Sequence, residues 1–142
     1  MIFLARPESL KINFEAAGCF LEHAGEIVLL HRQDHKPQGN TWGTSGGRVE
    51  PMETPSDACI REVFEETGIK IGEPTFFQVV YVNYPGKFTF AYPLFHYKLD
   101  VRPGIKIKPD EHKAFIWKSP TEAVMMDLIK DEDGCIKLFY GI

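Results

Sequence analysis

The chain has 142 residues, of which 44% are hydrophobic and 25% charged; this length suits one domain over residues 1–142 with a buried core. Acidic residues number 20 and basic residues 16, for a net charge of −4 and a pI near 5.7, the opposite of the basic excess expected of a nucleic-acid-polymer binder. No apolar run approaches the roughly 20 residues of a membrane helix, and the first seven residues carry no basic segment of a signal peptide.

Cys19, Cys59 and Cys135 form no C-x-x-C pair and no zinc-ligand spacing, and an odd count argues against a disulfide framework. A reducing, cytoplasmic setting is expected. In chain order, Phe14 to Leu21 reads as a buried strand, His23 to Glu26 as a turn, and Ile27 to Leu30 as a second short strand. Residues 31–42 are polar, hold Pro37 and Gly39, and read as a loop. Phe76–Asn83 and Phe88–Leu99 are rich in aromatic and β-branched residues, and with Tyr84-Pro85-Gly86 between them they read as a hairpin. Ala114–Trp117 is a further strand. Thr54-Pro55-Ser56-Asp57 marks a helix start, ended by Gly68; Ser119-Pro120-Thr121-Glu122 is a capping box. A last helix is expected in the C-terminal stretch. Strands outnumber helices, which predicts α/β or α+β layers around one sheet.

Residues 46–69 carry most of the chemistry. At about 100° per residue, with Cys59 at zero, Val63, Thr67, Ile60 and Phe64 fall between about 40° and 140°, an apolar face. Glu65, Glu62 and Glu66 fall near about 240°, 300° and 340°, sharing one arc of the helix. Glu62 and Glu66 are four residues apart, where like charges repel by a few tenths of a kcal/mol; a purely structural helix would gain from a Lys there. Gly46 and Gly47 precede the helix as a flexible segment able to approach a ligand. Glu50 and Glu53 add two more acids, and Arg61 is spaced to pair with Glu65 and Glu53. Crowded carboxylates suit a hard divalent cation, Mg²⁺ or Mn²⁺, which keeps waters and completes its shell from phosphate oxygens.

Gly47, Glu53, Arg61, Glu62, Val63, Glu65, Glu66, Gly68 and Ile69 match, without departure, the pattern G-x5-E-x7-R-E-U-x-E-E-x-G-U, with U a bulky aliphatic. On these nine residues the chain resembles the Nudix hydrolase family, and Leu29 to Arg32, Trp42 and Gly46-Gly47 are similar to the usual lead-in. Many members have Pro before the Gly pair; Ser45 stands here, a departure expected to touch loop stiffness more than chemistry. The resemblance implies a mixed β-sheet sandwiched between α-helices and hydrolysis of a nucleoside diphosphate linked to a group X. It implies metal ligation by Glu62, Glu65, Glu66 and the carbonyl of Gly46, with Glu53 and Arg61 supporting them and Gly46 and Gly47 near substrate. Many relatives are dimers, so a homodimer stays open.

Outside that segment, Glu111, six residues before Trp117, is the choice for a further metal ligand or the general base, against a surface charge in the polar stretch around it. Arg32, just after an apolar strand, is placed either to clamp a substrate phosphate or to sit as a solvated strand end. His31, His35, His96 and His112 are each read as polar surface residues rather than catalysts. Trp42, Phe76, Tyr81, Tyr84 and Phe90 are candidates to stack on a base, each more often core. The leading reading is a MutT-like enzyme taking a small nucleoside triphosphate to monophosphate and pyrophosphate. The runners-up act on ADP-ribose, nucleotide sugars or dinucleoside polyphosphates, for which Tyr84-Pro85 is a weak pointer. Readings of another class are a nucleotide sensor without turnover, which has no need for three crowded carboxylates, and an acidic docking helix.

Overall fold

The computed structural model describes residues 1–142. The strands are β1 (Ile2–Phe3), β2 (Phe14–His23), β3 (Glu26–Arg32), β4 (Trp42–Gly43), β5 (Ser45–Arg48), β6 (Thr75–Tyr84), β7 (Phe88–Lys98) and β8 (His112–Lys118). The helices are α1 (Pro55–Thr67), the single turn α2 (Pro120–Ala123) and α3 (Glu132–Tyr140). One sheet runs in the order β1-β6-β7-β2-β3-β4, with β5 paired to β2 and β8 to β3. Only β2 and β7 pair in parallel, from Phe14↔Phe90 to Glu22↔Lys98; the other pairings are antiparallel, so the sheet is mixed as expected.

Both faces of the central strands are buried, which explains their unbroken apolar runs. Alternate residues serve opposite faces. Ala17, Cys19 and Leu21 of β2 and Val28 of β3 pack with Ala58, Cys59 and Val63 of α1. Phe20 of β2 and Ile27 and Leu29 of β3 pack on the other side with Ala123 of α2 and Cys135 and Ile136 of α3. The result is a helix–sheet–helix sandwich.

The local signals work as their chemistry requires. In the tight turn between β2 and β3, Ala24 (φ 51°) and Gly25 (φ 79°) are both left-handed, the geometry that matches strand twist in a two-residue hairpin loop. Thr54 caps α1, its hydroxyl accepting from the Asp57 N–H, and Gly68 ends it at φ 76°. Ser119 and Glu122 close the capping box of α2. The hairpin of β6 and β7 turns at Pro85 and Gly86, with Tyr84 paired to Phe88.

Four expectations need correction. Gly46 and Gly47 are not a flexible segment; they lie in β5 and pair with Gly18 and Ala17 of β2. The loop expected at residues 31–42 is shorter, because β3 continues through Arg32 and Trp42 forms β4 against His31. Phe64 does not join the apolar face of α1: it is 47% exposed, and Ala58 takes the buried place. The dipeptide strand β1 was not anticipated, being too short to carry a periodic signal; it pairs with Val82 and Tyr81.

Replacing Thr54 by Ala removes an acceptor for an otherwise unpaired helix N–H. It should lower unfolding free energy by ~1 kcal/mol, measured by urea denaturation with unchanged slope.

Candidate active site

Strands β2 and β3 pair only near their shared turn, at Glu22↔Ile27 and His23↔Glu26, and then diverge. β2 turns to β5, which leads into α1; β3 takes β4 and β8. The divergence opens a cavity of about 170 Å³ whose lining includes Arg32, Gly46, Gly47, Glu66, Tyr92 and Glu132. That is smaller than the roughly 300–1,000 Å³ clefts that enclose whole ligands, so it has room for part of a substrate, with the rest outside.

The carboxylates of α1 lie along one side of the helix, as the angular spacing predicts, but in three environments. Glu66 is buried at 6% exposure. Its Oε1 accepts from Ser45 Oγ at 2.9 Å and from the Gly46 N–H at 2.8 Å. Burial outweighs those donors and raises its pKa to about 8. Ser45, expected to touch loop stiffness more than chemistry, therefore bonds directly to a carboxylate of the acidic cluster. Glu62 lies against Gly47, where an added Cβ would fall 2.4 Å from its carboxyl carbon; glycine is what leaves room for the acid. Burial also raises the Glu62 pKa, with Arg61 opposing and Glu65 and Glu111 adding to the rise. Glu65 is the outermost, 45% exposed and 3.4 Å from Arg61 Nη1.

Arg61 ties the group together. Its guanidinium donates Nε to Glu53 Oε2 at 2.8 Å and Nη2 to Glu53 Oε1 at 3.0 Å, a two-point fork. It also donates to Glu62 Oε1 at 2.7 Å and to the Arg48 carbonyl at 3.0 Å. The Arg61 fork holds the half-buried Glu53 carboxylate below its usual pKa. Glu53 additionally accepts from the Glu50 N–H at 3.0 Å, which pins the approach to the helix.

Glu111 points toward the acidic helix. Ligand atoms of Glu66, Glu111 and His112 lie within 4.8 Å of one another, and Glu111 raises the pKa of both Glu62 and Glu66. Its carbonyl accepts from the Gln33 N–H at 2.9 Å, fixing this loop to the end of β3. A divalent cation fits this donor set: Glu53, Glu62 and Glu65 share the single guanidinium of Arg61, Glu111 has Lys108 at 3.6 Å, and Glu66 has no Lys or Arg partner. Glu62, Glu66 and Glu111 could hold it, with Glu65 at the rim. Arg32 lines the cavity and spends only Nε, on the Pro37 carbonyl at 2.8 Å, leaving its terminal nitrogens for an anion.

Two residues at the site escaped the sequence reading. His112, taken as a surface residue, is 4% exposed and lines the cavity; burial lowers its pKa to about 4, so the ring is neutral. Its place at the start of β8 was hidden because the strand was expected to begin at Ala114. Glu132 sits at the start of α3, buried, with Oε1 accepting from the Thr44 N–H at 2.8 Å and from the Thr44 hydroxyl; burial raises its pKa. No local motif announces it. Among the aromatic candidates, Tyr84 and Phe90 line the cavity. Trp42 instead stacks on His31 at 4.2 Å, and Phe76 lies in a separate surface groove. Tyr81 lies opposite Phe3 in the β1–β6 pairing and does not line the cavity.

The metal-free protein should lose stability as pH rises from about 6.5 to 8. Folded Glu66 keeps its proton to about 8, whereas the unfolded side chain releases it near 4.5, so the folded state binds more protons throughout this window. His112, folded pKa about 4 against 6.5, acts with the opposite sign but only below it. The expected fall is on the order of 1–2 kcal/mol, read by denaturation at each pH, and Glu66→Gln should flatten it. Stability that rises across the window in the unmodified chain contradicts the assignment.

The NUDIX domain family model matches residues 13–139. The chain is similar to the CTP pyrophosphohydrolase of Escherichia coli, 27% identical over 132 residues that cover 90% of this chain and 92% of that one. It is also similar to the 8-oxo-dGTP diphosphatase of Proteus vulgaris, 31% identical over 72 residues, and to a bovine diphosphoinositol polyphosphate phosphohydrolase, 41% identical over 64. The first of these alignments covers 51% of this chain and 64% of the relative, the second 45% and 37%. In structure it resembles the E. coli ORF135 protein, with TM-score 0.77, 26% identity and coverage of 96% and 94% of the two chains. The MutT protein of Methanosarcina mazei has the same fold, with TM-score 0.79, 23% identity and coverage of 90% and 93%. The chain belongs to the Nudix family of hydrolases.

Proposed function

We propose that this Nudix hydrolase is a Mg²⁺- or Mn²⁺-dependent pyrophosphohydrolase that takes a small nucleoside triphosphate to its monophosphate and pyrophosphate. The observation that carries the reading is the convergence of Glu62, Glu66 and Glu111 beside a cavity too small for a whole nucleotide. The base enters the cavity and the phosphates stay by the acidic helix. A divalent ion bound there would neutralise the anionic phosphates and lower the pKa of the attacking water.

Glu62, Glu65, Glu66 and the Gly46 carbonyl hold that ion, while Glu53 acts through Arg61 by keeping the cluster in place. Arg32 clamps a phosphate with its terminal nitrogens. Glu111, facing both the cluster and solvent, would lend one oxygen to the ion and take on the other the proton of the water that adds to phosphorus as the bridging P–O bond breaks. The similarity to a CTP pyrophosphohydrolase and to an 8-oxo-dGTP diphosphatase supports a nucleoside triphosphate over a sugar nucleotide. Pro85 lies on the exposed hairpin turn outside the main cavity, which disfavours the ADP-ribose alternative. Glu132, with Tyr92 and Phe90 nearby in the lining, reads the base.

A panel of canonical and oxidised triphosphates, sugar nucleotides and dinucleoside polyphosphates, with and without Mg²⁺, tests the reading. Monophosphate and pyrophosphate should appear only with metal; binding without turnover would make the chain a sensor. Glu65→Gln and Glu66→Gln should each lower kcat by about two orders of magnitude or more, since metal-based charge stabilisation is worth several kcal/mol. Glu132→Gln should change relative kcat/KM among bases while leaving metal affinity unaltered, measured by competition between paired triphosphates.

A further inference from the structure

His112 is a buried imidazole whose needs the protein does not meet. Its Nδ1 is fully enclosed and has no hydrogen-bond partner. Its Nε2 stands 3.8 Å from Glu66 Oε2, beyond hydrogen-bond reach. On the Glu66 side, Oε1 is committed to Ser45 and Gly46, which leaves Oε2 toward the ring. The third member, Glu111, is adjacent in sequence, and its loop is tied down by backbone bonds from Gln33 and to Lys108. The β3–β8 pairing shifts register between His31 and Arg32, at the step where His112 pairs with Arg32; such bulges re-aim side chains beside active sites. An enclosed Nδ1 without a partner is costly, and Nε2, turned toward Glu66 with no hydrogen bond of its own, is the nitrogen free to take a ligand from outside the chain.

We infer that His112 supplies an imidazole nitrogen, together with Glu66 and Glu111, to a divalent-ion subsite of the acidic cluster, giving it one nitrogen ligand among oxygens. This rests on the proposed metal centre and adds a consequence for ion choice. An all-oxygen set suits both Mg²⁺ and Mn²⁺; an imidazole ligand adds affinity for first-row transition ions, least for Mn²⁺ and rising through Fe²⁺ and Co²⁺ to Ni²⁺. The subsite therefore selects Mn²⁺ over Mg²⁺ more strongly than carboxylates alone do.

Pulsed electron paramagnetic resonance of the Mn²⁺-loaded protein tests this directly, without turnover. A ¹⁴N coupling of a directly bound nitrogen is expected. It should convert to the ¹⁵N pattern when the unmodified chain is grown with ¹⁵N-histidine, a readout that does not depend on any variant folding. In His112→Gln the coupling should vanish. By calorimetric titration, Mn²⁺ affinity should fall about tenfold or more, and Mg²⁺ affinity should fall less. Mn²⁺ bound with oxygen ligands alone would overturn the inference and leave the carboxylate centre standing. Failure to bind Mn²⁺ at all would overturn both.

Discussion

The arrangement depends on one buried carboxylate. Moving an acid out of water is costly unless it is neutralised or bonded, and Glu66 offsets part of that cost with two donors from β5, the Ser45 hydroxyl and the Gly46 N–H. Those bonds dock the last turn of α1 onto the strand that precedes it. They also set the rotation of the helix, so that Glu62 falls against the bare backbone of Gly47 and Glu65 faces outward. Arg61 then holds the remaining acids from the outer side through its fork to Glu53. The helix is thus clamped on both flanks of its acidic stripe. Carboxylates that would otherwise spread apart are held crowded before any ligand arrives.

The sheet supplies the second requirement, a place beside that stripe. Because β2 and β3 separate after two paired residues, each finds a new neighbour, and the gap between β5 and β8 becomes the cavity. β5 and α1 contribute Gly46, Gly47 and Glu66 to its lining, β3 and β8 contribute Arg32 and His112, and α3 contributes Glu132. In the proposed reading, phosphate chemistry and base recognition fall to different elements. The acidic helix can stay fixed while the wall near α3 varies with the base.

Much of this was legible in the residues, because the informative signals are local. Thr54, Pro55 and Gly68 bound α1 through backbone capping, which needs no tertiary partner. The angular placement of Glu66, about 20° from the buried Cys59, already put that acid at the edge of the apolar face. What stayed hidden depends on pairing between distant segments. Gly46 and Gly47 look like a flexible turn until β2 is laid beside them. Ser45 looks incidental until Glu66 folds back onto it. His112 reads as one more polar residue in a charged stretch, since its burial comes from β3 and the cavity rather than from its neighbours. Glu132 is buried by Thr44, 88 positions away, a contact no window of sequence contains.

An anomalous difference map at the manganese edge, from crystals grown with Mn²⁺ and a non-hydrolysable nucleoside triphosphate, tests the central claim most directly. A peak bounded by Glu62, Glu66 and Glu111 is expected, with the base in the cavity beside Glu132. A map without a peak there, in a crystal whose nucleotide is bound, would contradict it.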